Sequence, residues 1–548
     1  TGTAGSPIIF RGVNNPTFTG QVTISGSYVI VDGISVINGG IIRLTGDHVE
    51  LRNSEASGNN AANSRTVVAA SNATDVVIYK NKIHDNGDWL STVESDYLGI
   101  GGSSPIDRIW VIENESYHNA GDSLQFGHAQ KNGINHAYIG RNHFHDDREN
   151  AVDIKEASNV IISENTFHGY RATSSSLGEA IVSHYCQIDL QVLYNNLYDS
   201  QVGLSETSLL SDCLSRAGVS VNMRFIGNVI HDIIGSGIQG WGSGKKVEVV
   251  NNTLYNIGGN GIDLDNLFTG SLIENNILSA ITGQDTSFIG GTPTVRNNLP
   301  DTSNPLFVNA GGSDFHLQSN SPAINTGITS TVYNDFLTQY GISISYDKDH
   351  ATRPVGSAWD MGAYEFGGTV TPPPTNQVPV GSFDEIRLSD GVIRAWSYDP
   401  DATAVSNQVN IYINGAAGAG GTLLSGSATN VLRPDVNSSF GITGNHGVEF
   451  TIPAQYRDAL SHSVYVYGID TSSSSISTLL TGSPKTFTLS STTPLVGDIN
   501  LDHIVNSIDY SILNSDWFTS NARSDLNHDG IVNAIDYSML NANWFKTW

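Results

Sequence analysis

Between residues 50 and 300 the chain repeats one short pattern of apolar and polar positions. It runs a β-branched pair, an Asn, one variable residue, an apolar or aromatic residue, and then often His or Tyr. Its instances include VVIYKNKIH, AYIGRNHFH, VIISENTFH, VLYNNLY, MRFIGNVIH and VEVVNNTLY. Their asparagines are Asn81, Asn142, Asn165, Asn196, Asn228 and Asn252, and Asn114 and Asn276 fit the same series. Two to three dozen residues separate successive members, the length of one coil of a right-handed parallel β-helix with variable loops. No single copy can bury its own apolar face, so the coils must stack on one continuous core. Asn is expected at the tight turn between strands, where it tolerates the left-handed conformation and bonds the coils above and below.

A second short strand follows each phrase: SLQFGH, AVDIKE, EAIVSH, GIQGWG and GIDLDN. Strand alternation points Val152 and Ile154 inward and Asp153 and Lys155 outward, so these strands predict one exposed face that serves as a groove. The segment NPLFVNAGGSDFHLQSNSPAINTG, with Asp360-Met-Gly-Ala-Tyr-Glu365 after it, reads as the closing part of this domain, residues 1–366. Residues 367–377, GGTVTPPPTNQ, form a semi-rigid Pro-rich spacer. Alternating strands resume over residues 378–490 (VIRAWSYD, VNIYING, VEFTIP, SVYVYGID) and predict a β-sandwich with Trp396 and Tyr398 in its core. The expected class is therefore all-β, with a small α-helical tail. The closing phrase resembles the C-terminal end of many secreted bacterial β-helix proteins, which implies the fold and a secreted or cell-surface location.

The tail, residues 491–548, carries the most specific motif. Asp498, Asn500, Asp502, Asn506 and Asp509 place side-chain oxygens at loop positions 1, 3, 5, 9 and 12, and Ile504 offers its carbonyl at position 7. A second copy has Asp525, Asn527, Asp529, Ile531, Asn533 and Asp536, with Gly530 at the sharp turn where the first has His503. This spacing wraps a Ca²⁺ ion in oxygens. Each loop leads into a matching helix, DYSILNSDWF or DYSMLNANWF. The duplicated loop and helix resembles a type I dockerin, which implies Ca²⁺ as cofactor and a cohesin-like or cell-surface partner.

Composition narrows the function classes. The chain of 548 residues has 57 glycines, only 14% charged residues and a formal net charge of −27. An acidic surface opposes nucleic acid and anionic membrane as partners. No apolar run approaches the length of a membrane span. The chain opens at Thr1-Gly-Thr without a signal segment, which reads as a mature or trimmed form. Cys186 and Cys213 stand about one coil apart, and a disulfide and buried thiols are both open readings.

Most Lys and Arg lie before residue 367, and Lys131, Arg141, Arg148, Lys155 and Arg171 make the one basic stretch where an anionic polysaccharide can sit. Stacking brings Asp122, the run His145 to Lys155, and Glu179 to His184 within a few strand spacings of about 4.8 Å. A uronate lyase needs the substrate carboxylate neutralised, commonly by Ca²⁺, so that a base can remove the neighbouring C–H proton. Asp122, Glu149 and Asp153 are candidate ligands for that metal. Lys155 is the candidate base, its pKa depressed by partial burial and by neighbours such as Arg148 or Arg171; Arg171 is itself a catalytic candidate, and His184 is a second acid or base. Gln125, Arg148, Glu179 and the outward Trp241 are candidate substrate contacts. The stretch Asp153-Ile-Lys155-Glu-Ala-Ser-Asn159-Val-Ile-Ile-Ser-Glu-Asn165-Thr-Phe resembles the catalytic rung of the alginate lyase and chondroitinase B family. Asp146, Asp147 and Asp153 only echo the Asp-Asp-x-x-Asp site of β-helix pectate lyases.

The histidines His84, His145, His168 and His231 hold equivalent turn positions, which predicts stacking rather than catalysis. Three functions stay open at this point: a calcium-assisted polysaccharide lyase, a glycoside hydrolase using paired carboxylates such as Asp153 and Glu179, and a non-enzymatic adhesin or surface fibre.

Overall fold

The computed structural model describes the chain apart from residues 4–6, 61–63, 71, 92–96, 104, 128–132, 156, 185–186, 208–221, 242–245, 266–269, 291, 369–376, 472–476, 491–495, 503 and 547–548. Cys186, Cys213 and His503 therefore lie outside the described residues. Two compact units form, Thr1–Pro373 and Pro374–Trp548.

In the first unit three parallel sheets, of 12, 11 and 11 strands, run the length of a β-helix. Each coil gives one strand to each sheet. The repeated phrase spans two of them: Thr74–Tyr79 lies in the first sheet and Lys82–Asn86 in the second, with Asn81 at the corner. The second set of strands, including Leu124–Phe126, Val152–Lys155 and Glu179–His184, forms the third sheet. Inward residues of all three merge into one core that includes Ile78, Ile83, Phe126, Phe144, Ile154 and Phe167.

A ladder of asparagine side chains marks the corner. The Oδ1 of Asn114 accepts from the backbone N–H of Asn81 at 2.9 Å and from its Nδ2 at 3.0 Å. The same double link continues through Asn142, Asn165, Asn195, Asn228, Asn252, Asn276 and Asn298. Two expectations change. The member on the Leu193 coil is Asn195, not Asn196, because only Asn195 has one variable residue before the apolar Leu197; Asn196 begins the following strand. The left-handed conformation also falls on the residue before each ladder Asn, as at Lys80, Glu113, Arg141, Glu164 and Tyr194, and the Asn itself is free of it.

The histidines and tyrosines of the second sheet stack in register as expected. Ring centroids are 5.0 Å apart for His84–Tyr117, Tyr117–His145 and His145–His168, and 4.6 Å for His168–Tyr198. Burial and the neighbouring His145 push the His168 imidazole down to about 4.

The described coils end with the strand Thr294–Arg296, and the closing segment adds none; it folds back along the outside of the stack. Its helix Thr331–Tyr340 packs Val332, Tyr333 and Phe336 against Leu193, Ile226 and Val250 of the first sheet. Phe307, Phe315 and Met361 cover Val229 and Ile277. Arg353 and Glu365, both fully buried, pair at 2.7 Å and bind the segment's own backbone.

In the second unit, two antiparallel sheets face each other over Phe383, Ile393, Val409, Ile411, Val448, Val466 and Phe487, which makes a β-sandwich. Tyr398 is buried and Trp396 packs beside it in a smaller cluster. The tail has two helices, Ser507–Ser515 and Ala534–Asn541, starting two residues earlier than the sequence phrases. Val505, Leu513, Val532 and Leu540 hold them together.

Candidate functional site

The third sheet supplies the chemistry. In register across adjacent coils, Gln125 lies beside Asp153 and Lys155 beside His184. Alternation sends Val152 and Ile154 into the core and turns Asp153 and Lys155 to the outer face. Asp153 joins the coils: its carboxylate accepts from Lys155 Nζ at 2.9 Å and from His184 Nδ1 at 2.8 Å. Burial works to raise the Asp153 carboxyl, but the His184 hydrogen bond and charge, with the charge of Lys155, outweigh it and hold it below the usual range. Burial lowers His184, and the hydrogen bond and charge of Asp153 more than reverse this, so its pKa ends above the ordinary value.

The outward face is not the open groove that alternation alone predicts; Asp153 is only 3% exposed. Ser174, Ser175 and Ser176 arch over one end of the strands. Arg148 donates to Ser175 Oγ at 3.1 Å and Ser174 Oγ at 3.3 Å, and Ser176 Oγ reaches Asn150 Oδ1 at 2.7 Å and Glu179 Oε2 at 3.2 Å. Between this arch and the sheet lies a cleft of about 570 Å³, lined by Gln125, Glu149, Asn150, Asp153, Lys155, residues 173–177, Glu179, His184 and Thr207. Burial raises the Glu179 carboxyl, partly offset by the Ser176 hydrogen bond. Beneath the cleft the buried Asp122 accepts from Asn150 Nδ2 at 2.8 Å and from Gln125 Nε2 at 3.1 Å. Burial and the charges of Asp153 and Glu149 push it well up.

Gln125, Asp153, Lys155, Glu179 and His184 thus come together as the sequence suggests, and several other candidates do not. Arg148 is buried and tied to Glu149 at 2.7 Å, so it braces the arch and is not an open substrate contact. Arg171 pairs with Asp199 and does not line the cleft. Asp122, Glu149 and Asp153 are absent from the metal-ligand groups among the described residues; Asp122 and Asp153 share the Gln125 amide, at 3.1 and 3.5 Å, and Glu149 pairs with Arg148. Asp147 belongs to the interior, where it accepts from Asn119 Nδ2 at 2.8 Å at the end of a second amide ladder; burial pushes it up to about 8. Trp241 is 43% exposed two coils beyond His184 and lies outside the cleft. Sequence reading missed Asn150 and the serine arch, since a polar loop has no periodicity to betray what it covers.

The tail presents a separate site. In the first loop, ligand oxygens of Asp498, Asp502 and Asp509 lie within 4.8 Å of one another. Asp509 also accepts from the backbone N–H groups of Ile499 and Asn500, at 2.7 and 3.0 Å, and of Asn506, at 2.9 Å. Asp536 repeats this with Leu526, Asn527 and Asn533. One carboxylate therefore closes each loop and caps the helix after it. Gly530 turns the second loop with a left-handed φ of 89°. An all-oxygen donor set of carboxylates, amides and a carbonyl fits a hard cation such as Ca²⁺. Asp498, Asn500, Asp502, Ile504, Asn506 and Asp509 would hold one ion, and Asp525, Asn527, Asp529, Ile531, Asn533 and Asp536 the other.

No curated protein matches the chain in sequence. Among solved structures, the chain is similar to the periplasmic alginate epimerase AlgG, at 13% identity and a TM-score of 0.33, over 50% of this chain and 65% of that one. It is similar to the PL6 family alginate lyase AlyGC at 12% identity and a TM-score of 0.35, over 54% and 48%. A GH87 alpha-1,3-glucanase catalytic domain in complex with nigerose gives 11% identity and a TM-score of 0.30, over 52% and 64%. The chain spans about half to two thirds of the length of these structures. Residues 496–543 match the family model described as Dockerin type I domain. That match and the two closed loop–helix repeats place residues 496–543 in the type I dockerin family, a calcium-binding domain attached in this chain to a β-helix.

Proposed function

We propose that the cleft on the third sheet is the active site of an extracellular polysaccharide-degrading enzyme, a lyase that cleaves a uronic-acid polymer by β-elimination. The observation that carries this reading is the Lys155–Asp153–His184 chain of contacts on the cleft floor. With Nδ1 held by Asp153, the imidazole directs its other nitrogen away from that carboxylate, the orientation a general base needs. His184 removes the proton from the carbon beside the uronate carboxylate. Lys155 neutralises that carboxylate by charge, and Glu179, whose carboxyl burial pushes up, adds a hydrogen bond when it carries its proton. The electron pair of the broken C–H bond forms the C4–C5 double bond, the C4–O bond breaks, and the departing oxygen takes a proton from water, while His184 later returns its own to solvent. In this reading Lys155 and Glu179 supply the charge and the hydrogen bond that offset the substrate carboxylate. The dockerin domain is read as the attachment to a cohesin-like partner, and its calcium serves that docking.

The test is a panel of uronic-acid polymers scored for the ultraviolet absorbance of an unsaturated product, with wild type, His184→Ala and Lys155→Ala. Product from wild type and its loss in both variants supports the elimination. A saturated product would instead favour hydrolysis by Asp153 and Glu179, whose carboxyls the fold pushes in opposite directions. No product of either kind on any polymer favours the adhesin.

A further inference from the structure

The second sheet bears a group of metal-ligand side chains that the cleft does not use. Glu115 and His143 are register partners on adjacent coils, and His145 shares the strand of His143. One ligand atom from each of the three lies within 4.8 Å of the others.

The electrostatics of His145 make this group more than a coincidence of stacking. Its Nδ1 donates to Asp146 Oδ2 at 2.9 Å, which leaves the lone pair of the neutral ring on Nε2. That Nε2 is buried, makes no hydrogen bond among the described residues, and faces Glu115 Oε1 at 3.6 Å. Two acceptors held face to face repel unless a cation stands between them. Lys82 does not fill that place, since its ammonium sits on the other carboxylate oxygen, Oε2, at 3.8 Å. His143 stacks on His145 at 4.4 Å, and its Nε2 lies 3.0 Å from Nε2 of His168.

We propose that Glu115, His143 and His145 form a site for a zinc-class divalent ion, with His168 in contact with His143 at its edge. Two imidazoles and one carboxylate suit such an ion and not Ca²⁺ or Mg²⁺, which prefer oxygen. The Asp146 contact is the outer carboxylate that commonly orients a metal-binding histidine. Solvent reaches the site, since Glu115 also lines a surface pocket of about 460 Å³. Its ligands belong to neighbouring coils, so the ion clips those coils together.

The full chain, stripped of metal and then held in excess Ca²⁺ to saturate the tail, is titrated calorimetrically with Zn²⁺. One Zn²⁺ per chain is expected. Asp146→Asn should weaken it about 10- to 100-fold, and His143→Ala or Glu115→Gln at least as much. Thermal melts confirm that each variant is folded, and a His84→Ala control on the same ladder should bind like wild type. Co²⁺ gives an independent readout, a visible absorption band present in wild type and lost in His143→Ala. Equal Zn²⁺ affinity in wild type and the Glu115→Gln/His143→Ala double variant overturns the proposal, as does an absence of binding at millimolar Zn²⁺.

Discussion

Asp153 and His184, 31 residues apart in sequence, meet across adjacent coils in a hydrogen bond of 2.8 Å. The sign of its pH dependence follows from the raised folded-state pKa of His184, above the ordinary 6.5. The stability it contributes is fully present below about pH 6.5 and is lost as pH rises through the folded value. A base must be neutral, so the acidic limb of the activity profile should lie above pH 6.5 in wild type. Asp153→Asn should move that limb, and the NMR midpoint of His184, to lower pH. An unmoved midpoint means that Asp153 does not set the charge of the imidazole.

The asparagine corner makes a sharp comparison between neighbours. Asn195 is buried and fills the ladder, whereas the next residue, Asn196, starts a strand. Asn195→Ala leaves the Asn165 backbone N–H without its acceptor and takes one of three acceptors from the Asn165 amide. It should cost about 1–3 kcal/mol, and Asn196→Ala about 0.5 kcal/mol or less. Denaturant midpoints of the two variants decide the matter, and equal losses would contradict the placement of Asn195 in the ladder.

Glu365 is the last residue of the Asp-x-Gly-Ala-Tyr-Glu phrase and the buried partner of Arg353. Glu365→Ala strands a fully buried guanidinium and should destabilise the closing segment by about 3–5 kcal/mol. Protease cleavage within residues 300–366 should accelerate accordingly, well before the coils themselves become sensitive.

Two Ca²⁺ ions should bind per chain, both removed by chelator with loss of helical signal. Gly530→Ala introduces a side chain at a left-handed φ of 89°, which costs about 1–2 kcal/mol and should weaken the second site by roughly tenfold. The second site is expected to be the tighter in wild type, and calorimetry that finds the first tighter reverses that ranking.

The repeat was legible because its period is written in apolar residues that every coil must bury, such as Ile83, Phe144 and Phe167. The calcium loops were legible because ion coordination dictates residue type at fixed intervals. The cleft was only half legible. Asp153 and Lys155 follow from alternation, but the arch over them does not, because Ser174, Ser175 and Ser176 are held by side-chain contacts to Arg148 and Asn150 from another coil. For the same reason Arg148 and Arg171 were misplaced: charge in a sequence shows how much is present, not which carboxylate holds it. The helix Thr331–Tyr340 was not legible because its apolar side continues the outer surface of the coils and has no core of its own.

Along the asparagine ladder every link has nearly the same length, 2.8–3.0 Å, while the chain between links varies from 22 to 33 residues. The corner is thus indifferent to the excursion between two of its members. Insertions and deletions between rungs can reshape the cleft without disturbing the stack, and a whole coil can be duplicated or excised with one new link replacing the old. Heredity in such a molecule has a natural unit of change, the rung, and its selectivity for substrate can drift while its architecture stays put.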